Sequence, residues 1–176
     1  LATWTALRED AVDPMTFCSF SNEQYNQSDF PYVRFDENTQ IRWTRATRWS
    51  DKTTIWVPAS QVYLPYRRVK GEASIGPSIS SGMAAGASFE DAVLGGLQEI
   101  IERDALAISW MHKLPPRNIS NDSLNKSTIL MNLLHNPRRW NVNLYDLTLD
   151  GPLCTIAAVM KDQTSSNDIV GFGSAC

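Results

Sequence analysis

The chain has 176 residues, 43% of them hydrophobic and 20% charged, with a net charge of −3. That is enough for one domain around a single core. The charge excludes a global basic field that would recruit nucleic acid, and no apolar run approaches the roughly 18 residues of a membrane span. The N-terminus, LATWTALRED, has neither the basic start nor the apolar block of a secretory signal. Cys18, Cys154 and Cys176 are sparse and odd in number, which argues against a disulfide framework and for a reducing, cytoplasmic setting. With only His112 and His135 to help, they fit no zinc pattern. The chain starts without methionine and stops at DIVGFGSAC, so we expect part of a longer protein.

In chain order, residues 1 to 40 are mixed and aromatic-rich, with SNEQYNQSDFPY as a loop. Pro31 biases Phe30 toward an extended backbone. TQIRWTRATRWS alternates, with Ile41, Trp43 and Arg45 on one side, as in a half-buried strand. DKTT is a turn, and IWVPASQVYLPY reads as a second strand interrupted by Pro58 and Pro65, which makes a hairpin of the pair. Residues 67 to 88 are rich in Gly, Ser and Ala. Composition leaves two readings open: a flexible linker, or a loop whose small residues let backbone approach a ligand. No Gly-Lys-Ser/Thr is present, so it is not a P-loop.

Ser88 caps the next segment, with Asp91 three residues on as a weak capping box. The helix runs to about Met111 or His112 and stops before LPPRN. Residues 123 to 135 predict a second amphipathic helix, with Ser123 near its start. WNVNLYDLTLD, CTIAAVMK and DIVGFGSA predict three strands. No repeat is present. The pattern predicts an α/β or α+β fold, helices packed on a mixed or antiparallel sheet, with residues 1–176 as one domain.

The long helix is unusual. At about 100° per residue, Ala92, Gly95, Gly96, Glu102, Arg103, Leu106 and Trp110 fall within roughly 60° of Glu99. Val93, Leu94, Leu97, Ile100, Ile101 and Ile108 form the other side, expected to face the core. Two adjacent glycines inside a helix each cost on the order of 1 kcal/mol relative to alanine. Either another backbone or a bulky ligand must therefore lie against them. Glu99 and Glu102, one turn apart, repel unless a cation or an arginine joins them. A hard cation such as Mg²⁺ takes oxygen ligands, and Arg103 is suited to phosphate oxygens. The plainer reading is a charge network on the helix surface, in which Glu99 and Arg103 form an i,i+4 pair worth about 0.2–0.5 kcal/mol.

The whole run SSGMAAGASFEDAVLGGLQEIIERDALAISW, residues 80 to 110, resembles the central motif of the YcaO family. In that motif Ser-x-Gly-x-Ala-x-Gly precedes a helix carrying Glu-x-x-Glu-Arg-Asp-Ala and then Trp. SDFPY, TQIRW, VPASQVYLPY, NVNLYDLT and GFGSA extend the likeness over nearly the whole chain. The resemblance implies a YcaO-type ATP-binding fold, of which residues 1–176 are the central part, with ATP and Mg²⁺ as cofactors. It implies phosphorylation of a peptide amide oxygen, attack by a neighbouring Cys, Ser or Thr, and loss of phosphate to leave an azoline. Thioamide or amidine formation, and a non-catalytic scaffold, are the alternatives. The setting implied is microcin or bacteriocin biosynthesis. The partners implied are a precursor peptide and a leader-peptide-binding protein or domain, with no nucleic acid and no membrane; a homodimer is compatible with it.

Carried over by position, Glu99 and Glu102 match the acidic pair on Mg²⁺ and nucleotide, and Arg103 the adjacent phosphate-side arginine. Asp91 falls where an acidic ligand is expected, with Glu90 beside it. Ser81, Gly82 and Gly86 match the loop lining the nucleotide pocket. Two positions depart: many relatives carry Asn at Ser81 and at Ala87. An earlier Ser-x-x-x-Glu-x-x-Glu-Arg motif should precede Leu1, and a Glu/Gln-rich helix should follow Cys176. The fragment is accordingly expected to be inactive alone. No general base is assigned: His112 reads as a charge partner at the helix end, and Cys18 and Cys154 as packed or near-surface thiols.

Overall fold

The computed structural model describes residues 1–17, 19–120, 126, 128, 140–151, 153–162 and 170–176. They divide into two compact units, Leu1–Ser80 and Ser81–Cys176.

In the first unit the predicted hairpin forms. Strand β1, Trp43–Thr47, pairs antiparallel with β2, Thr54–Pro58, from Trp43 opposite Pro58 to Thr47 opposite Thr54. The turn is closed by Asp51, whose Oδ1 accepts from the Thr53 amide (3.0 Å) and hydroxyl (2.6 Å). Ile41 is buried with Phe35 and Ile75, and Trp4, Trp43 and Ala73 pack against them. Arg45 does not join this cluster. It is exposed and lies over the Trp56 ring opposite it in the ladder, 5.2 Å from the centroid, where a cation meets a π face without losing its water.

SNEQYNQSDFPY is not wholly loop. Asn22–Tyr25 forms a single helical turn, α2, following α1 at Trp4–Leu7. A complete capping box holds it: the Gln24 amide donates to Ser21 Oγ (3.2 Å), and the Ser21 amide to Gln24 Oε1 (2.9 Å). Phe20, Tyr25, Phe30 and Tyr32 cluster behind this turn, with Phe20 and Tyr32 stacked at 5.2 Å. Nor is the segment after residue 67 a loose tether. Glu72 accepts from the amides of Arg42 (3.2 Å) and Val69 (3.0 Å), and the Val33 amide donates to the Ser74 carbonyl (2.8 Å).

The second unit is built on helix α3, Phe89–Met111. Its first turn is capped as expected, Ser88 Oγ accepting from the Asp91 amide at 3.1 Å. His112 sits at the C-cap, before Pro115 and Pro116. The sheet is antiparallel, in the order β3 (Arg117–Asn118), β4 (Trp140–Asp146), β5 (Ile156–Asp162), β6 (Val170–Ala175). β3 was not evident in the sequence: two residues carry no alternation, and the strand is made by pairing Arg117 with Asp146 and Asn118 with Tyr145. An ion pair of 2.8 Å between Arg117 and Asp146 reinforces it. The helix predicted over residues 123 to 135 lies outside the described residues, as does Cys18. Cys154 is exposed and Cys176 partly buried, both as free thiols. The fold class is α+β.

One expectation about α3 holds only in part: Val93, Ile101 and Ile108 are half-buried. Its apolar side was to face the core, yet Leu94, Leu97 and Ile100 are 55%, 51% and 49% exposed. The buried positions are Gly96, Glu102 and Ala105. The reason is tertiary: the Gly82 backbone lies on Gly96, and β6 reaches Glu102.

Candidate functional site

The glycines come first, because they decide what can approach the helix. A Cβ on Gly96 would stand 2.6 Å from the Gly82 carbonyl oxygen, closer than real side chains come. Of the two occupants the glycine pair allowed, a second backbone is the one present at Gly96. Gly82 itself has φ +84°, in the left-handed region where glycine is favoured, and a Cβ there would meet Ile100 Cδ1 at 2.9 Å. Gly86 is equally tight: a Cβ would stand 2.5 Å from the Ala92 amide nitrogen and 2.6 Å from Asp91 Cβ. The loop from Ser81 to Ala87 is thus laid along the first turns of α3, and small residues are what allow it.

This packing delivers the loop backbone to a carboxylate. The Gly82 amide donates to Glu99 Oε2 at 3.1 Å. The other carboxylate is fixed from the sheet, the Ser174 hydroxyl donating to Glu102 Oε1 at 2.5 Å. Between the two stands Arg103, whose Nε is 3.7 Å from Glu99 Oε1 and whose Nη2 is 3.8 Å from Glu102 Oε1. At those lengths these are Coulombic contacts, not hydrogen bonds. The side chains are graded in exposure: Glu102 12%, Glu99 27% and Arg103 51%. Two acidic groups are held by neutral donors from opposite sides, and their counter-charge points outward.

The predicted residues are not all gathered. Glu99, Glu102, Arg103 and Gly82 form one constellation. Ser81 is exposed in the turn before Gly82. Asp91 is exposed in the first turn of α3, eight residues before Glu99 and therefore about 12 Å away along the axis; Glu90 is exposed beside it. Ser174 was missed. It stands in GFGSA, a segment the sequence reading used only for its likeness, and 72 positions separate it from Glu102. No periodicity signals such a contact; the register of β6 against β5 supplies it, placing Ser174 opposite Ala157.

Among the described residues no group of three or more His, Cys, Asp or Glu side chains is arranged to hold a metal. The donor set fits Mg²⁺ in a different way. That ion is commonly bound by one or two carboxylates together with waters and substrate phosphates. Glu99 and Glu102 would supply those two carboxylates, and among the described residues Glu102 Oε1 is the oxygen engaged by Ser174 and Arg103. Among those residues, too, no helix is long and apolar enough to cross a membrane.

Comparison with known proteins agrees with the resemblance of residues 80 to 110. The family described as YcaO cyclodehydratase, ATP- and Mg²⁺-binding, matches residues 1–176. An uncharacterized protein of Methanothermobacter thermautotrophicus is 31% identical over 129 residues, covering 72% of this chain and 33% of that protein. Among solved structures, a heterocyclase in complex with substrate and cofactor superposes with TM-score 0.81 at 27% identity, over 98% of this chain and 25% of that one. The heterocyclase TruD, at 24% identity and TM-score 0.79, shares the fold over 98% of this chain and 27% of its own. YcaO from Methanopyrus kandleri, bound with AMPPCP and Mg²⁺, gives 0.55 at 25% identity, over 78% and 36%. The chain therefore spans between a quarter and about a third of the proteins it matches. The family match runs over the whole of residues 1–176, and so this chain belongs to the YcaO family, whose cofactors are ATP and Mg²⁺.

Proposed function

We propose that this chain is the central part, residues 1–176, of a YcaO domain that activates a peptide backbone amide by ATP-dependent phosphorylation. The outcome is cyclodehydration of Cys, Ser or Thr to azolines in a ribosomal peptide. The observation that carries this reading is the convergence of Glu99 and Glu102 on Arg103 beside the Gly82 loop. Glu99 and Glu102 would hold Mg²⁺, and Arg103 would turn from them to phosphate oxygens, which a guanidinium contacts in bidentate fashion. Ser81, Gly82 and Gly86 would line the nucleotide side, with Asp91 at its far edge. When bound, ATP and Mg²⁺ supply the phosphoryl group and the charge neutralisation its transfer requires. The residues of the chain contribute positioning: the Gly82 amide and the Ser174 hydroxyl hold the carboxylates in place, so little order is lost on binding.

Likeness to a heterocyclase at 27% identity favours ring formation over thioamide chemistry. Partners of the complete protein would be a precursor peptide and a leader-binding protein or domain, in the cytoplasm. The test is calorimetry of Mg²⁺-ATP binding by the full-length parent and its Glu99→Ala, Glu102→Ala double variant. Binding by the parent that the variant loses is the expected result. Equal binding in both, or none in either, returns the trio to a surface charge network and favours a non-catalytic scaffold.

A further inference from the structure

Glu99 and Glu102 are oriented by neutral groups. Glu99 Oε2 accepts from the Gly82 amide and Glu102 Oε1 from the Ser174 hydroxyl. Such donors fix a carboxylate without cancelling its charge. Two carboxylates one turn apart on a helix repel, so the pair calls for a cation. Among the described residues the cation paired with them is Arg103, its Nε 3.7 Å from Glu99 Oε1 and its Nη2 3.8 Å from Glu102 Oε1.

The hold of Arg103 on the pair is loose. Both distances lie beyond hydrogen-bond length, and its side chain is 51% exposed over carboxylates at 27% and 12%. Exposed ion pairs of this kind add little stability. Withdrawing Arg103 would also leave both carboxylates where they are, because the Gly82 amide and the Ser174 hydroxyl remain in place. The first unit shows what a fixed arginine looks like in the same chain. Arg42 Nε is 3.1 Å from Glu72 Oε2 and 3.0 Å from the Tyr66 hydroxyl oxygen, and the Glu72 side chain is 2% exposed. Arg42 is locked into its carboxylate by hydrogen bonds, whereas Arg103 rests over a preformed acidic pair that does not depend on it.

We infer that Arg103 is a displaceable counter-ion that makes the acidic pair selective for metal delivered together with phosphate. The inference rests on the reading of Glu99 and Glu102 as the Mg²⁺ ligands. With Arg103 over the pair, a free divalent cation meets a neighbouring positive charge and two carboxylates that are already partly neutralised. A phosphate chain gives the guanidinium another anion, one it contacts in bidentate fashion. Drawing Arg103 toward phosphate uncovers the full charge of Glu99 and Glu102. Metal and nucleotide therefore bind cooperatively, each raising the affinity of the other by the same factor.

The experiment is calorimetry of the full-length parent and its Arg103→Gln and Arg103→Lys variants with two probes, Mg²⁺ alone and Mg²⁺-ATP. Arg103→Gln should bind Mg²⁺ alone on the order of tenfold more tightly than wild type, the scale of repulsion between a unit charge and a divalent ion near contact in water. It should bind Mg²⁺-ATP about tenfold more weakly, having lost a charged donor to phosphate. Opposite signs for the two probes are the signature, since a residue that only supported the fold would weaken both. Arg103→Lys keeps the charge, so its affinity for Mg²⁺ alone should stay within about twofold of wild type. Adding Glu99→Ala and Glu102→Ala should abolish the gain seen in Arg103→Gln. Three results would overturn the inference and leave the nucleotide reading standing, provided Mg²⁺-ATP binding still depends on Glu99 and Glu102: no gain in Mg²⁺ affinity in Arg103→Gln, an equal gain in Arg103→Lys, or unchanged Mg²⁺-ATP affinity in Arg103→Gln. Mg²⁺-ATP binding that is indifferent to Glu99 and Glu102 would overturn both.

Discussion

Gly96 and Ser174 show how single residues set this site. Alanine at position 96 would gain on the order of 1 kcal/mol of helix propensity. It would also drive a Cβ to 2.6 Å from the Gly82 carbonyl, which is backbone and cannot rotate away. Overpacking of this kind costs about 1–3 kcal/mol. Gly96→Ala should therefore destabilise the chain in denaturant unfolding despite its better propensity, and should broaden or shift the Gly82 amide resonance. Ser174 tests the opposite contact. Ser174→Ala removes the donor to Glu102 and should weaken Mg²⁺-ATP binding by the full-length parent about two- to tenfold, the range of one hydrogen bond's net worth. Ser174→Thr, which keeps the hydroxyl, should restore it; affinity equal to wild type in Ser174→Ala would show that Glu102 needs no such support.

Among the elements, α3 carries most of the argument. Its start is local: Ser88 before Phe89 meets the amide of Asp91, and its end is set where Pro115 and Pro116 forbid continuation. Ser88→Ala should cost about 1 kcal/mol by thermal or chemical unfolding. It should also loosen Gly86, because that residue is packed against the Ala92 amide in the turn Ser88 fixes. The faces of α3 were harder to read. Apolar periodicity assigned the core side to Val93, Leu94, Leu97, Ile100, Ile101 and Ile108, of which Leu94, Leu97 and Ile100 are about half exposed and the other three half-buried. Periodicity ranks faces by hydrophobicity alone. It has no means of registering that a loop backbone will cover the glycine side or that a strand hydroxyl will satisfy a carboxylate, and satisfied carboxylates can be buried.

At the scale of the whole molecule, each unit holds one polar cluster away from full solvent. In the first, Arg42 Nε donates to Glu72 Oε2 (3.1 Å) and to the Tyr66 hydroxyl oxygen (3.0 Å), and the Tyr66 hydroxyl donates to Glu72 Oε1. Burial alone would raise the Glu72 carboxyl, but the Tyr66 hydroxyl, the Val69 and Arg42 amides and the Arg42 charge bring it below the ordinary glutamate value. Burial, and then the hydrogen bond to Glu72, push the Tyr66 hydroxyl from 10.0 up to about 12. Tyrosine is neutral when protonated, so a raised value means that the folded chain holds the proton more tightly than the unfolded one. The resulting stability is complete below pH 10 and is lost as pH rises from 10 toward about 12. The thermal midpoint should fall across that window, and Tyr66→Phe should flatten the part of the fall that belongs to this group.

By itself the sequence determined the β1–β2 hairpin, the cap and stop of α3, the three longer strands and the motif that marks the family. All of these are written in short-range patterns: alternation along a strand, a serine before a helix, prolines after it. Only the tertiary structure decided that Gly96 accommodates the Gly82 backbone, that Glu102 is buried while Leu94, Leu97 and Ile100 are half exposed, and that Ser174 holds one of the two acidic side chains. It also made β3 out of two residues and built α2 from a capping box inside what reads as loop. The contacts that place the carboxylates span 17 and 72 positions. Side-chain chemistry at such separations becomes a site only when packing and strand register bring it together, and neither is visible in a local window of residues.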